Sequence, residues 1–331
     1  MSRTDGATSH VREGGLMRVL ITGAAGFVGR HLAAQLARNR DWERFGIESR
    51  PGAHIPGLQM VVCDLRDDAL TRSVIRECRP DYIFHLAAQA NVPIAVASPS
   101  DTLINNAVAQ INVLEACRAA GLDPVILVVS SAEVYGAAAP EDLPLTEQQP
   151  FRPANPYAVS KVAQDMLGLQ YFLSYGMRII RVRPFNHIGP GQSDHFVVSS
   201  FARQIAEIEA GLADPVVRVG NLDAQRDFLD VRDVVRSYEL VTQPKFAGEV
   251  FNVASGIPRS IRSILDRLVT LSSAKITIQE DPARLRPSDV PVLIGDAGKL
   301  TRYTGWRPEV PIEQSLTDTL DFWRERIRRA N

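Results

Sequence analysis

The 331-residue sequence has few cysteines and no long hydrophobic runs. Cys63, Cys78 and Cys117 form neither a Cys-x-x-Cys pair nor a metal-binding spacing with histidine. This excludes a disulfide framework and predicts a reducing, cytoplasmic location and no bound metal. No apolar run reaches the ~18 residues that a membrane span requires, so we expect no membrane partner.

Positive charge is not in excess, since Lys plus Arg total 37 and Asp plus Glu total 38. A nucleic-acid partner, which usually requires a basic surplus, is therefore not predicted. Lysine is scarce and stands at four positions, namely Lys161, Lys245, Lys275 and Lys299. Most of the positive charge is thus arginine, whose planar fork of donors suits the binding of phosphate groups.

What remains is ordinary globular composition, with 45% hydrophobic and 23% charged residues. Residues 1–16 are polar and glycine-rich and lack the apolar core of a signal peptide, so we predict a flexible tail, with Met17 as an alternative start. After it, short apolar runs at 18–22, 45–47, 60–63, 82–85, 125–129 and 177–182 alternate with helical patterns at 28–38, 66–78, 100–119 and from Pro156. This alternation predicts an α/β fold, a doubly wound parallel Rossmann sheet, over 17–183.

The pattern loosens after Arg183. Small strands are expected at 216–219 and 275–278, and helices at 197–211, 260–272 and 312–329. Residues 184–331 are therefore predicted to form, in the main, a smaller mixed α/β substrate lobe, with one strand near 249–254 returning to the main sheet.

A glycine loop follows the first apolar run. Its segment Gly23-Ala-Ala-Gly26-Phe27-Val28-Gly29 joins the first strand to the first helix. Glycines let the backbone approach a pyrophosphate, and the helix N-terminus offers unpaired N–H groups. The spacing is G-x-x-G-x-x-G, and a simple tight turn is the alternative. The βαβ context favours a dinucleotide site formed by these residues.

Further cofactor residues are expected at the ends of the next strands. Glu48, 19 residues past Gly29, could hold the ribose hydroxyls of NAD, whereas Arg50 could pair with the 2′-phosphate of NADP, and either could be a solvated loop charge. Both cofactors therefore stay open. The remaining expected contacts are Asp64 and Leu65 at the adenine, and Leu86, Ala87 and Ala88 beneath the dinucleotide.

A catalytic group is predicted at the end of the fifth strand. Tyr157 and Lys161 are four residues apart and share one helix face, and Ser131 lies 26 residues before Tyr157. An adjacent ammonium lowers the pKa of a phenol, which suits acid–base chemistry on a carbonyl. The alternative is a surface pair on a helix. Tyr157 and Lys161 are expected to touch the cofactor as well.

With these motifs, the chain from Met17 to its end resembles the extended short-chain dehydrogenase/reductase family. The resemblance implies that Tyr157 is the acid–base, that Lys161 holds the nicotinamide ribose and that Ser131 hydrogen-bonds the substrate oxygen. It also implies a nucleotide-linked sugar as substrate. The residues that it assigns to this substrate are Ser131, Asn186, Phe196, Val197, Arg226, Arg286 and Asp289. Among them, Arg226 and Arg286 would clamp the diphosphate, the alternative being surface ion pairs.

Three segments, at 186–192, 220–228 and 285–291, resemble the GDP-mannose branch of the family, which contains a 4,6-dehydratase and a 4-reductase. The sequences of these segments are more similar to the reductase than to the dehydratase. The resemblance thus implies that NADH or NADPH is consumed to reduce the C4 keto group of GDP-4-dehydro-6-deoxy-D-mannose. Glu133 stands at the position of the dehydratase base and keeps dehydration open. A 4-epimerase and a non-catalytic scaffold are further alternatives, the latter opposed by the presence of Tyr157 and Lys161.

A homodimer is the last expectation. Enzymes that this chain resembles commonly pair through the helices that correspond to 100–119 and 157–172. The apolar residues of the first helix, Ile104, Val108, Ile111, Val113 and Leu114, exceed what one core-facing stripe needs.

Overall fold

The structure, a computed structural model, describes residues 16–285 and 290–330. Two of the predicted substrate residues, Arg286 and Asp289, lie outside the described residues. So does the predicted tail, apart from Leu16.

Strands and helices alternate along the first half of the chain. The strands are β1 (Met17–Thr22), β2 (Trp42–Glu48), β3 (Gln59–Val62), β4 (Tyr82–His85), β5 (Val125–Val129), β6 (Ile179–Pro184), β7 (Asn186–Ile188), β8 (Val216–Val219), β9 (Gln225–Asp230), β10 (Val250–Val253), β11 (Pro258–Ser260), β12 (Thr277–Glu280) and β13 (Val292–Leu293). The helices are α1 (Phe27–Leu36), α2 (Asp68–Cys78), α3 (Val92–Ala97), α4 (Pro99–Ala119), α5 (Pro156–Tyr175), α6 (Val197–Glu209), α7 (Val231–Val241), α8 (Ile261–Thr270), α9 (Gly298–Thr304) and α10 (Ile312–Ala330).

The main sheet has seven strands in the order β3-β2-β1-β4-β5-β6-β10. Every neighbouring pair in it is parallel. The order reverses between β1 and β4, which opens the crevice where doubly wound sheets bind ligands. The predicted Rossmann sheet is confirmed, and β10 is the strand that the sequence predicts to return to it.

Each face of the main sheet is covered by helices and carries its own core. One core packs β1 and β6 against α1 and α7, with Leu32, Val234 and Tyr238 fully buried. The other packs the sheet against α2 and α4, with Ile75 and Leu114 fully buried. Continuous apolar strands such as β5 are required here because both of their faces are buried.

The smaller lobe has a separate core formed by α6, α8 and α10 against β8 and β9. Its strands form two short sheets, one of β11, β9, β13 and β7 and one of β12 and β8. The chain returns to the main sheet more often than the sequence indicates. Besides β10, α7 packs on α1, and Leu300 of α9 and Trp306 join the same core.

Within the described ranges, no helix is both long enough and apolar enough to cross a membrane. The same residues contain no cluster of three or more histidine, cysteine or acidic side chains suited to a metal ion. The three cysteines are free thiols and are buried.

Candidate active site

The glycine loop lies at the carboxyl end of β1, beside the crevice between β1 and β4. Gly23 has a φ of +67°, and a Cβ at this position would lie 3.0 Å from the backbone N and Cα of Ala87. A side chain is therefore excluded both by conformation and by space. The loop leads into α1, whose first turn contains Phe27 and Val28. The arrangement fits the phosphates of a dinucleotide, which need close backbone approach and a helix N-terminus.

The end of β4 is fixed to this loop by one threonine. Thr22 Oγ1 accepts hydrogen bonds from the backbone N–H groups of Leu86 and Ala87, each at 3.1 Å, and lies 3.0 Å from His85 Nδ1. Burial, together with the charge of Lys161, lowers the pKa of His85 to about 3, so the ring is neutral. The predicted cofactor residues Leu86, Ala87 and Ala88 thus lie next to the glycine loop in space.

The three predicted charges near the adenosine differ in their surroundings. Glu48 Oε1 accepts a hydrogen bond at 2.7 Å from the backbone N–H of Ala25, so this carboxylate supports the glycine loop. Arg50 is exposed in the turn after β2. Asp64 is paired with Arg66, whose hydrogen bonds lower the pKa of the carboxyl, and the adjacent Leu65 is buried.

Ser131 and Tyr157 meet at the carboxyl end of β5. Ser131 follows this strand and caps a short 3₁₀ turn, Ala132–Tyr135, through the N–H of Glu133. Tyr157 lies in the first turn of α5, which begins where Asn155 Oδ1 accepts from the N–H of Ala158 at 2.8 Å. Burial and the charge of Glu133 raise the pKa of Tyr157 to about 12, although a hydrogen bond with Ser131 lowers it in part. The phenol is therefore protonated at neutral pH and is suited to donate a proton.

Lys161 lies one turn after Tyr157 on the same helix and is buried. Its Nζ donates to Gln164 Oε1 at 2.6 Å. Burial lowers the pKa of Lys161 to about 7, although the charge of Asp165 opposes the shift. The sequence predicts that the ammonium lowers the pKa of Tyr157, but the pKa of this phenol is raised, because burial and Glu133 dominate.

The buried lysine makes stability depend on pH. Between about pH 7 and 10.5 the unfolded chain holds a proton on Lys161 that the folded chain lacks. Unfolding then takes up this proton, so the free energy of unfolding rises with pH, approaching ~1.4 kcal/mol per pH unit. We expect this contribution in the wild type and its loss in Lys161→Met, measured by denaturant unfolding from pH 7 to 9. The exposed Lys275→Met should keep the wild-type slope, and a Lys161→Met curve parallel to the wild type would contradict the assignment.

Two polar partners of this group were missed from the sequence. Asn155 caps α5 and also donates to Glu133 Oε2 at 3.1 Å, which holds the carboxylate beside Tyr157. Gln164 accepts from Lys161. An asparagine directly before Pro156 is a helix N-cap signal, and Gln164 lies three residues from Lys161 on one helix face. Both residues could therefore have been identified from the sequence.

The loop after β6 contacts the glycine loop through aromatic rings. Phe27 stacks on His187 with a centroid distance of 6.0 Å and an interplanar angle of 6°, and it meets His31 edge-on. His187 is held by the backbone oxygen of Phe185, and burial lowers the pKa of the ring. Asn186, the preceding residue, is thereby placed where the Rossmann domain meets the lobe.

The other predicted substrate residues belong to the lobe. Asn186 in β7 is the parallel partner of Phe228 in β9, and Arg226 precedes Phe228 by two residues, roughly 7 Å, on that strand. Arg226 Nη1 donates to the backbone oxygen of Gln225 at 2.9 Å. Phe196, which is 38% exposed, and Val197 are at the start of α6. The described part of the chain thus places the predicted nucleotide-sugar residues on the lobe and Ser131, Tyr157 and Lys161 on the Rossmann domain.

Known proteins resemble this chain over nearly its whole length. Residues 20–319 match the family model of GDP-mannose 4,6 dehydratase. The chain is 40% identical over 314 residues to GDP-6-deoxy-D-mannose reductase of Pseudomonas aeruginosa, covering 94% of this chain and 98% of the relative.

Two solved structures are similar over the whole fold. RMD from Pseudomonas aeruginosa, complexed with NADPH, matches with a TM-score of 0.81 and 38% identity, covering 94% of this chain and 100% of that one. The UDP-glucose 4-epimerase of Thermus thermophilus, in complex with NAD, matches with a TM-score of 0.83 and 30% identity, covering 93% of this chain and 99% of the epimerase. Both neighbours carry a nicotinamide dinucleotide.

Proposed function

We propose, from the premise that this chain belongs to the GDP-mannose 4,6-dehydratase family, that it reduces the C4 keto group of GDP-4-dehydro-6-deoxy-D-mannose to give GDP-D-rhamnose. The observation that carries the reaction type is the pairing of Ser131 with a protonated Tyr157 at the same end of the parallel sheet as the glycine loop. The substrate is taken from the reductase of Pseudomonas aeruginosa, to which the chain is 40% identical.

Each of these residues has a separate role in the proposed reduction. A reduced nicotinamide dinucleotide supplies the hydride when it is bound. Ser131 donates a hydrogen bond to the C4 oxygen, and Tyr157 gives that oxygen its proton as negative charge develops on it. Because the pKa of Tyr157 is about 12, the phenol carries this proton throughout the neutral range. Lys161 is placed one turn away to contact the nicotinamide ribose.

The cofactor is proposed to be NADH or NADPH. Gly23, Gly26 and Gly29 form the cradle for its phosphates. One structural neighbour is complexed with NADPH and the other with NAD. Glu48, which supports the loop, and Arg50, which is exposed beyond it, keep both cofactors within the proposal. No metal takes part in the proposed reaction.

Dehydration of GDP-mannose is the second candidate, because Glu133 adjoins Tyr157. A dehydratase needs a base that removes the C5 proton, whereas a 4-reductase does not. The Glu133 carboxylate is engaged by Asn155 Nδ2, which favours a role in orienting groups rather than in taking up a proton.

We therefore expect Glu133→Gln to keep much of the 4-keto reductase activity, within about tenfold of the wild type, because no C5 proton is removed. The amide retains an oxygen that accepts from Asn155. The measurement is oxidation of NADPH or NADH with the 4-keto-6-deoxy sugar nucleotide, with the exposed Glu141→Gln as the matched control. A loss of about 10³-fold or more in Glu133→Gln, with the control unchanged, would contradict this expectation and show that the carboxylate is required for the reduction. Conversion of GDP-mannose by the wild type without added cofactor, abolished in Glu133→Gln, would favour the dehydratase.

We also propose a homodimer formed through α4 and α5, in a reducing cytoplasmic compartment in keeping with the three free thiols. Val113 and Leu114 are buried in the core of the protomer, but the other face of α4 exposes Leu103 and Ile104, the latter at 52%. Val159 on the adjacent α5 is also exposed. This apolar surface is contiguous because α4 and α5 pack side by side.

Light scattering at micromolar concentration should give the mass of two chains. Ile104→Glu should shift the equilibrium to the monomer, because it buries a charge in the interface. Leu212→Glu adds the same charge to a lobe residue that is 56% exposed and should leave the dimer intact. A monomeric wild-type protein would refute the proposal.

A further inference from the structure

An arginine that has no role in the sequence analysis lies directly opposite Arg226. The antiparallel pair of β9 and β11 aligns Arg259 with Arg226. Directly opposed residues of an antiparallel pair point to the same face, with Cβ atoms ~5 Å apart. The two guanidinium groups therefore extend from neighbouring positions on one face of the lobe sheet.

Arg259 has a donor that the protein itself does not satisfy. It makes no ion pair within residues 16–285 and 290–330, and its Nε is shielded from water without a hydrogen-bond partner. A buried donor without an acceptor is costly, and a charged one more so. An anion bound on this face of the sheet would accept from this Nε and remove that cost.

The same face contains the predicted substrate residue of β7. Asn186 is the aligned partner of Phe228, and Phe228 points to the same side of β9 as Arg226, because the two are separated by two positions. Asn186, Arg226 and Arg259 therefore share one face across three adjacent strands.

Backbone groups near Arg259 do not offer an alternative anion site. The N–H groups that begin α8 are already used: those of Ile261 and Arg262 donate to the backbone oxygens of Ala224 and Leu222, and that of Ser263 donates to Ser260 Oγ. These backbone groups are therefore not available to an anion, whereas the Nε of Arg259 has no acceptor.

We propose that Arg259 binds the diphosphate of the nucleotide-linked substrate together with Arg226. Two guanidinium forks match two phosphate groups, each able to accept a pair of parallel N–H donors. This assignment adds a substrate-binding residue to the site and rests on the proposed function for the identity of the nucleotide.

Arg259→Gln should act on affinity and on stability in opposite directions. We expect it to weaken binding of GDP about ten- to a hundredfold in calorimetric titrations, through loss of charge-assisted hydrogen bonds. Binding of GMP, which lacks the second phosphate, should weaken less, and binding of NADPH should not change. Without ligand, the unfolding temperature should stay the same or rise, because a shielded charged donor without an acceptor is removed.

Two further variants separate charge from geometry. Arg259→Lys keeps the charge but not the planar fork and should bind GDP with intermediate affinity. Arg267→Gln removes the same charge from an exposed position near the end of α8 and should bind GDP as the wild type does. Wild-type affinity for GDP in Arg259→Gln would overturn the proposal. A lower unfolding temperature with joint loss of GDP and NADPH binding would show a structural role and overturn it as well.

The nucleotide can be tested independently with UDP. If the wild type binds UDP and not GDP, the proposed substrate is wrong, while the response of UDP binding to Arg259→Gln still decides the diphosphate site. If the wild type binds neither diphosphate, both proposals fail.

Discussion

Replacing Tyr157 by Phe lowers kcat for reduction of the 4-keto sugar nucleotide by at least the ~10²-fold that follows the loss of a positioned general acid. The change removes one oxygen and keeps the ring, so α5 and its contacts should persist. Ser131 remains to bind the C4 oxygen, but its hydroxyl lies beside a side chain that can no longer deliver a proton.

The loss should appear in kcat and not in binding. Titrations with NADPH and with GDP should give wild-type affinities, because the phenol donates its proton during the reaction. Tyr303→Phe, which removes a phenol from a half-exposed residue packed near Phe246, is the matched control and should turn over normally. Near-normal turnover in Tyr157→Phe would remove Tyr157 from the mechanism.

We expect Gly29→Ala to weaken binding of the dinucleotide ~10²-fold or more. A Cβ at Gly29 would lie 2.7 Å from the backbone oxygen of Ala24 and would also collide with that of Gly23. These atoms are the loop itself, so the loop must move away from α1 and loses the close approach that a pyrophosphate requires.

The matched control for this loss is Gly211→Ala. Gly211 has a φ of +70° and open space around its Cβ, so alanine there strains the backbone without touching the loop. We expect a modest loss of stability and unchanged cofactor binding, as followed by the quenching of protein fluorescence. Wild-type affinity for NADPH and NADH in Gly29→Ala would place the dinucleotide elsewhere.

The Rossmann half could be predicted because its signals are local. Each parallel strand is a short apolar run, and the glycine loop stands at a fixed place between β1 and α1. The two-sided burial that produces these runs is a property of the sheet itself. The family membership inferred from these motifs is confirmed by the match over residues 20–319.

The placement of α7 could not be read in the same way. Its amphipathic pattern over Val231–Val241 would suit packing on either domain. Contacts with α1 and the buried position of Tyr238 decide that it covers the main sheet, and those contacts join residues about 200 positions apart. The positions at which the chain passes from the lobe back to the main sheet therefore could not be predicted from local composition.

The proximity of the candidate site residues could be predicted where residue type and spacing coincide, since Ser131 meets Tyr157 and Lys161 follows one turn later on α5. The pKa values could not be predicted, because they depend on burial and on charges from other elements. Lys161 was expected to lower the pKa of Tyr157, yet its Nζ donates to Gln164, and burial together with the charge of Glu133 raises the pKa of the phenol. Arg259 escaped notice because its opposition to Arg226 arises from strand register.

Cofactor stoichiometry tests the central claim most directly. Purified protein is incubated with GDP-4-dehydro-6-deoxy-D-mannose plus NADPH or NADH, and separately with GDP-mannose and no added cofactor, and the products are identified by NMR. A 4-reductase oxidises one reduced cofactor for each keto group reduced, yields GDP-D-rhamnose and leaves GDP-mannose unchanged. Conversion of GDP-mannose to the 4-keto-6-deoxy sugar without added cofactor would contradict the account and identify a dehydratase.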